Sequence, residues 1–146
     1  MPNKKLMGKN KLEEKRWLLF NKKNVDFSIL KGKTIIEIIS MRAQEDEIIF
    51  KCSDGTSYKM YHDQQCCENV WLEDVVGEVD NLLDTPILNA ELTVDSQKIE
   101  CGWQTYSYYH LATIKGYVDL RWCGESNGCY SEEVDFIDWS SYPGSA

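Results

Sequence analysis

The 146-residue chain has no long hydrophobic run, and nothing in it approaches the roughly 20 apolar residues that a membrane span needs. The stretch "RWLLF" (16–20) is too short and too lysine-flanked to serve as the apolar region of a secretory signal, so a cytoplasmic setting is expected. Histidine is scarce, with only two, and the Cys-x2-Cys spacing that marks a zinc knuckle is missing. Cysteine is not scarce. In a reducing compartment the six read as buried small hydrophobes, metal ligands or reactive groups rather than as a disulfide framework. Basic residues are the largest deficit: residues 34–146 carry six Lys/Arg against twenty-one acids, a balance of −15, whereas residues 1–33 carry ten against three, a balance of +7. Such a body repels nucleic-acid phosphates and is drawn to basic surfaces, which disfavours a conventional nucleic-acid binder; the short basic arm can touch an anion or fold back on the acidic body. Internal repeats and low-complexity tracts are also missing, and the length suits one domain with a core of its own.

The pattern divides the chain into a basic N-terminal arm (1–32), an acidic β-rich body (33–139) and a frayed tail (140–146). Residues 1–9 lack periodicity and read as mobile. Asn10 as N-cap and Glu13 at the third helical position open a short helix over about 11–22. From Lys33 the runs are short, β-branched and bounded by turn signals, giving an α+β fold that is predominantly antiparallel sheet with one or two short helices. Asp54-Gly55 between "EIIFKCS" and "TSYKMYH" signals a two-residue hairpin. That turn pairs Cys52 with Ser57, Lys51 with Tyr58 and Phe50 with Lys59, and places Cys52 and His62 on opposite faces if the second strand runs as far as His62. Residues 69–79 read as a strand, "EVDNLLDT" as a helical turn closed by Pro86, and 87–95 as a strand. Three later aromatic runs, divided by Gly116 and by "ESNG", read as an antiparallel meander.

The densest chemistry lies in "MYHDQQCCENVWLEDVVGE" (60–78). His62, Cys66, Cys67 and Glu68 supply zinc-competent donors, with Asp63, Cys101 or His110 available to complete a tetrahedral set. The spacing is not diagnostic, and the alternative is ordinary burial of cysteine with His62 ending a strand. A cysteine nucleophile would need a base and an orienter, and neither histidine has an orienter recognisable in sequence. Ser126 in "GESNG" (124–128) matches a nucleophile elbow, but β-like runs flank it and both histidines precede it, so a hairpin turn is expected there. Cys123 and Cys129 flank that turn, and the register that decides whether their sulfurs meet stays open. The aromatics Trp103, Tyr106, Tyr108, Tyr109, Tyr117, Trp122, Tyr130, Phe136 and Trp139 suit a core or a partner interface better than base stacking, which needs a basic groove. The carboxylates Glu73, Asp74, Glu78, Asp80, Glu132, Glu133, Asp135 and Asp138 exceed what solubility requires; Glu73, Asp74, Glu132, Glu133, Asp135 and Asp138 are the expected partner-binding set, steering association with a basic channel.

Together "KGKTIIEI", "SDGT", "YHDQQCCENVWLEDVVGE" and "GYVDLRWCGESNG" resemble a small domain family of bacteriophages and prophages over about residues 28–139, with the H-x3-C-C-E block as the most specific part. The whole is similar to phage-encoded anti-CRISPR proteins that inhibit Cas9, some of which carry zinc. That resemblance implies an inhibitory binding role, and with the charge split and the lack of a catalytic constellation the expected function is a non-enzymatic inhibitor that binds the basic nucleic-acid-handling surface of a host defence nuclease such as Cas9 in the bacterial cytoplasm and blocks DNA binding; a monomer is favoured, with the oligomeric state left open by the sequence. A metal- or cysteine-dependent enzyme centred on His62, Cys66 and Cys67, and a sponge for a nucleotide signal walled by the aromatics, are the alternatives.

Overall fold

The computed structural model describes residues 4–143, with side chains from residue 11 onward. A helix α1 (Lys4–Asn21) is followed by a 3-10 turn (Phe27–Leu30) and strands β1 (Ile35–Ile39), β2 (Glu47–Cys52), β3 (Ser57–Tyr61) and β4 (Asn69–Val76). A second 3-10 turn (Val79–Leu82) precedes β5 (Asn89–Ile99), β6 (Gly102–Thr113), β7 (Gly116–Ser126) and β8 (Asp135–Asp138). The helix begins before Asn10, which therefore lies inside it and caps nothing: the helix formers Lys4 to Met7 extend the run N-terminally past a weak capping signal. Of the expected mobile start, residues 4–9 are helical and residues 1–3 lie outside the described residues. At the other end Tyr142 stacks on Trp139 at 4.1 Å, and the expected fraying falls partly on residues 144–146, outside the described residues. Among the described residues no helix is long and apolar enough to cross a membrane.

The strands form two antiparallel sheets, β1-β2-β3-β8 and β4-β7-β6-β5. The expected meander holds for β5, β6 and β7 and then breaks. "ESNG" does not close a hairpin onto β8, because β8 crosses to the first sheet and pairs with β3, Met60 opposite Phe136. The reason lies in β8 itself. Phe136 belongs to the core between the sheets and Ile137 to the cluster on the far side of the first sheet, so "DFID" needs a strand position covered on both faces.

The hairpin at Asp54 is also one residue off its expected register, with Lys51 opposite Ser57, Phe50 opposite Tyr58 and Ile49 opposite Lys59. Only Gly55 takes a positive φ, +86°, so the loop has three residues with the glycine in the left-handed position. Asp54 accepts from the Thr56 N–H and hydroxyl, which fixes this longer loop. The shift reverses a face assignment: Cys52 now lies with Phe50, Tyr58 and Met60 in the core.

One core cluster fills the space between the sheets, where the fully buried Trp122 donates its indole N–H to Met60 Sδ at 3.2 Å. A second covers the outer face of the first sheet, where Trp17 and Leu18 of α1 pack on Tyr61, Ile137 and Trp139. Bases of the arm meet acids of the body: Lys11 with Glu47 at 3.0 Å and Lys22 with Asp135 at 3.1 Å. Of the two roles open to the arm, folding back on the acidic body is the one that the structure displays.

Candidate functional site

The stretch after β3 is built around one carboxylate. Glu68 is buried, and its two oxygens accept hydrogen bonds from His62 Nε2 at 2.9 Å, the Gln65 N–H at 3.1 Å, the Cys66 N–H at 2.8 Å and Gln64 Nε2 at 3.2 Å. Burial by itself would raise the Glu68 carboxyl, but the Cys66 N–H, His62 and the Gln65 N–H outweigh it and hold the group at about 2. His62 Nδ1 lies 2.6 Å from the Glu133 carbonyl oxygen, so the ring ties this loop to the segment that leads into β8. A carbonyl and a carboxylate only accept, so each of these contacts needs the proton on the ring nitrogen that faces it.

Cys66 and Cys67 are exposed and joined to each other in a vicinal disulfide. The four expected zinc donors are therefore brought together in sequence but spent on each other in pairs, His62 with Glu68 and Cys66 with Cys67. Among the described residues no group of three or more His, Cys, Asp or Glu is arranged to hold a metal ion. Of the other cysteines, Cys52 and Cys123 are buried, Cys101 and Cys129 are exposed, and Cys123 and Cys129 do not pair. Burial, with Glu73 next to the sulfur, pushes the Cys123 thiol up to about 11, and burial likewise raises Cys52; neither is an activated nucleophile. His110 does acquire an orienter, since Asp119 lies opposite it on β7 and their side chains are in contact. Yet among the described residues neither histidine ring hydrogen-bonds to a cysteine, serine or threonine. Ser126 is buried, and its hydroxyl accepts from the Gly128 N–H as the chain turns away.

Lys59 is a feature that sequence reasoning missed. Its ammonium sits 3.0 Å from Glu14 Oε2 and 2.9 Å from Glu47 Oε2, with the Trp139 ring 4.5 Å and the Tyr61 ring 5.0 Å away. The Glu47 contact lacks hydrogen-bond alignment and is ionic rather than directional. The site gathers side chains from α1, β2, β3 and the end of β8, and no local spacing announces it.

The bare outer face of the second sheet is different in kind. On β6 the inward series Thr105, Ser107, Tyr109 and Leu111 is buried, so Tyr106, Tyr108 and His110 face out. Register sets Cys123, Arg121 and Asp119 of β7 beside them, and Asp95, Thr93 and Glu91 of β5 on the other side. Arg121, the basic group here, is engaged by Glu73 at 2.7 Å and Asp74 at 3.9 Å. Tyr106 stacks near Tyr108 at 6.1 Å, and Tyr117 lies 5.8 Å from His110. The expected aromatic series thus divides, with Tyr109, Trp122, Phe136 and Trp139 buried and Trp103, Tyr108 and Tyr117 exposed. The six expected partner-binding carboxylates divide as well. Glu73 and Asp74 flank this face on β4; Glu132 and Glu133 lie on the crossing segment before β8; Asp135 is paired with Lys22; and Asp138 accepts from the Ser140 N–H.

The structure is a two-sheet α+β domain whose first sheet carries α1 on its outer side and whose second sheet presents a tyrosine–carboxylate surface. The chain belongs to the family DUF7448, described as a domain of unknown function, whose profile matches residues 28–136. The helix α1 lies outside that match. No curated protein and no solved structure shows significant similarity to it.

Proposed function

We propose that this chain is a non-enzymatic binding module whose bare face on the second sheet engages a basic partner surface. The observation that carries the reading is the pairing of Tyr106, Tyr108 and Tyr117 with Glu73, Asp74, Glu91, Asp95 and Asp119 on one uncovered face, where Arg121 is already neutralised. Tyrosine supplies rigid contact area with a polar tip, while carboxylates around it steer a positively charged partner. A nucleic-acid-handling protein such as a Cas9-type nuclease in a bacterial cytoplasm, the partner that the resemblance implies, presents such a surface. No metal is needed for this reading. Elemental analysis tests zinc separately: close to one equivalent supports bracing by His62 and the adjacent cysteines, and less than about a tenth returns them to a structural role.

The test is a salt titration of binding to the nuclease, with and without charge reversal. Affinity should weaken as salt rises, because the Debye length falls from about 10 Å at 0.1 M to about 3 Å at 1 M. Glu73→Lys with Asp74→Lys should slow association by about tenfold, whereas Glu13→Lys on α1 should leave it unchanged. Added before target DNA, the protein should reduce DNA binding, and added afterwards it should do much less. Binding indifferent to salt, with the double reversal harmless, overturns the reading.

A further inference from the structure

Three of the four sheet edges are bulged or bonded to another segment over part of their length. Residues 44 and 45 bond to the open side of β4, Gln44 N–H to Leu72 O at 2.7 Å and Leu72 N–H to Glu45 O at 3.0 Å, and a bulge follows between Leu72 and Asp74. The edge of β1 is bulged between Ile35 and Glu37, and the Asp84 N–H donates to Ile35 O at 2.8 Å. The edge of β8 is capped by residues 23–25, with the Val25 N–H on Phe136 O and the Asp138 N–H on Lys23 O. Such closure is how sheets avoid recruiting a foreign strand.

The edge of β5 is open. Among the described residues, 91–98 make no backbone hydrogen bond other than those to β6, and all eight are exposed. The pairing with β6 runs from Asn89 to Ile99 without a bulge, and no proline interrupts it. The strand also overhangs the first sheet. Its inward series leaves the core after Ala90, so that Leu92 is 45% and Val94 55% exposed. Beneath them is a cavity of about 330 Å³ lined by Leu92, Val94, Ser96, Ser107, Glu132 and Glu133, and a neighbouring cavity of about 320 Å³ shares Leu92 and Glu133. The outward series carries Glu91 and Asp95.

We propose that β5 is a strand-addition site for an extended partner segment in which apolar and basic residues alternate. Main-chain hydrogen bonds to residues 91–98 provide the affinity, and the two faces of the added strand provide the selectivity. Its apolar side chains settle beside Leu92 and Val94 over the cavity. Its Lys or Arg side chains meet Glu91 and Asp95 on the outer face, and Glu132 and Glu133 at the cavity rim. A second copy of this chain is the poorer occupant, because it brings its own Glu91 and Asp95 and a net charge of −8 against the same charge. The proposal rests on the basic-partner reading above and adds the mode of recognition.

The probe is a blocked peptide of roughly nine residues alternating Val and Lys, long enough to span 91–98. Amide exchange is followed on the full chain, beside the same peptide N-methylated at alternate residues, which keeps the charge and side chains but breaks the ladder. Alternate amides within 91–98 should exchange at least about tenfold more slowly with the intact peptide and remain unchanged with the methylated one. Equal binding of both peptides overturns strand addition while the basic-partner reading stands. Absence of protection by either peptide, with a basic partner still bound in a salt-sensitive way, overturns it too. If sedimentation shows a dimer whose β5 amides are protected without peptide, the edge belongs to a second copy and the proposal fails.

Discussion

The first sheet has the main core on one side, and on the other Trp17 and Leu18 of α1 pack on Tyr61, Ile137 and Trp139 while Ile36 and Ile39 of β1 stay exposed. On the second sheet the inward series of β6 is buried but 91–98 of β5 are exposed, and among the described residues neither core cluster includes a side chain of the outer face. Strand length marks the difference, since β1, β2, β3 and β8 run four to six residues and β5, β6 and β7 eleven or twelve. The short sheet is what its neighbours can cover, and the long one extends past them. Charge follows the same division, with arm lysines spent on the first sheet while Glu91, Asp95, Asp119 and Asp74 line the second. Stability should therefore concentrate where the two sheets meet and around α1, and recognition should concentrate on the overhang.

The largest break in that comparison is Trp122→Ala. Trp122 is fully buried between the sheets, and its loss should cost about 3–5 kcal/mol, read as a lower denaturant midpoint at unchanged slope. Next comes Lys59→Met, which leaves Glu14 and Glu47 with the more exposed Lys11 as their remaining cation. The cost should be about 2 kcal/mol, below that of breaking a fully buried pair, because the carboxylate side chains keep 17% and 22% exposure. Adding Glu47→Gln to that variant should restore part of the loss, whereas a purely steric effect of the methionine would not be relieved.

A smaller effect is pH-dependent. The Glu68 carboxyl sits at about 2 in the fold, below its ordinary 4.5, so its contribution is fully present above about 4.5 and is lost as pH falls through about 2. Between those values the folded chain holds fewer protons on this group than the unfolded chain, and acidification favours unfolding. Glu68→Gln should flatten the stability profile in that window, as measured by chemical denaturation across pH.

Which of these features a reader of the sequence can find depends on how local their cause is. The strand runs, the helical turn before Pro86 and the hairpin at Asp54-Gly55 are local, and their existence was legible. The hairpin register was not, because Asp-Gly suits both a two-residue and a three-residue loop, and the hydrogen bonds of Asp54 to Thr56 decide between them. The crossing of β8 was hidden for a different reason: "DFID" reads the same whether it pairs with β7 or with β3. Glu68 was legible as a polar residue beside His62 and the cysteines, but its role as acceptor for two backbone N–H groups depends on loop shape. The Lys59 cluster gathers residues from α1, β2, β3 and the end of β8, so no window of sequence contains it.

The smallest effect on stability sharpens the comparison most. Tyr108 is 40% and Tyr117 50% exposed on the outer face of the second sheet, and neither touches the core clusters. Replacing either with Ala removes ring contacts on the surface, Tyr106 near Tyr108 and His110 near Tyr117, each worth a few tenths of a kcal/mol when solvated. Tyr108→Ala and Tyr117→Ala should therefore shift stability by no more than about 0.5 kcal/mol. Their effect on binding a basic partner should be larger, about tenfold each, since a tyrosine at the centre of an interface is among the residues that carry most of the energy. That ratio separates the two roles a surface tyrosine can have. A residue kept only to pack its strand loses stability and affinity in proportion, while one kept for recognition loses affinity alone. If both substitutions lower the denaturant midpoint as much as a core change and leave partner affinity untouched, the bare face is a structural surface, and recognition must be sought along the β5 edge instead.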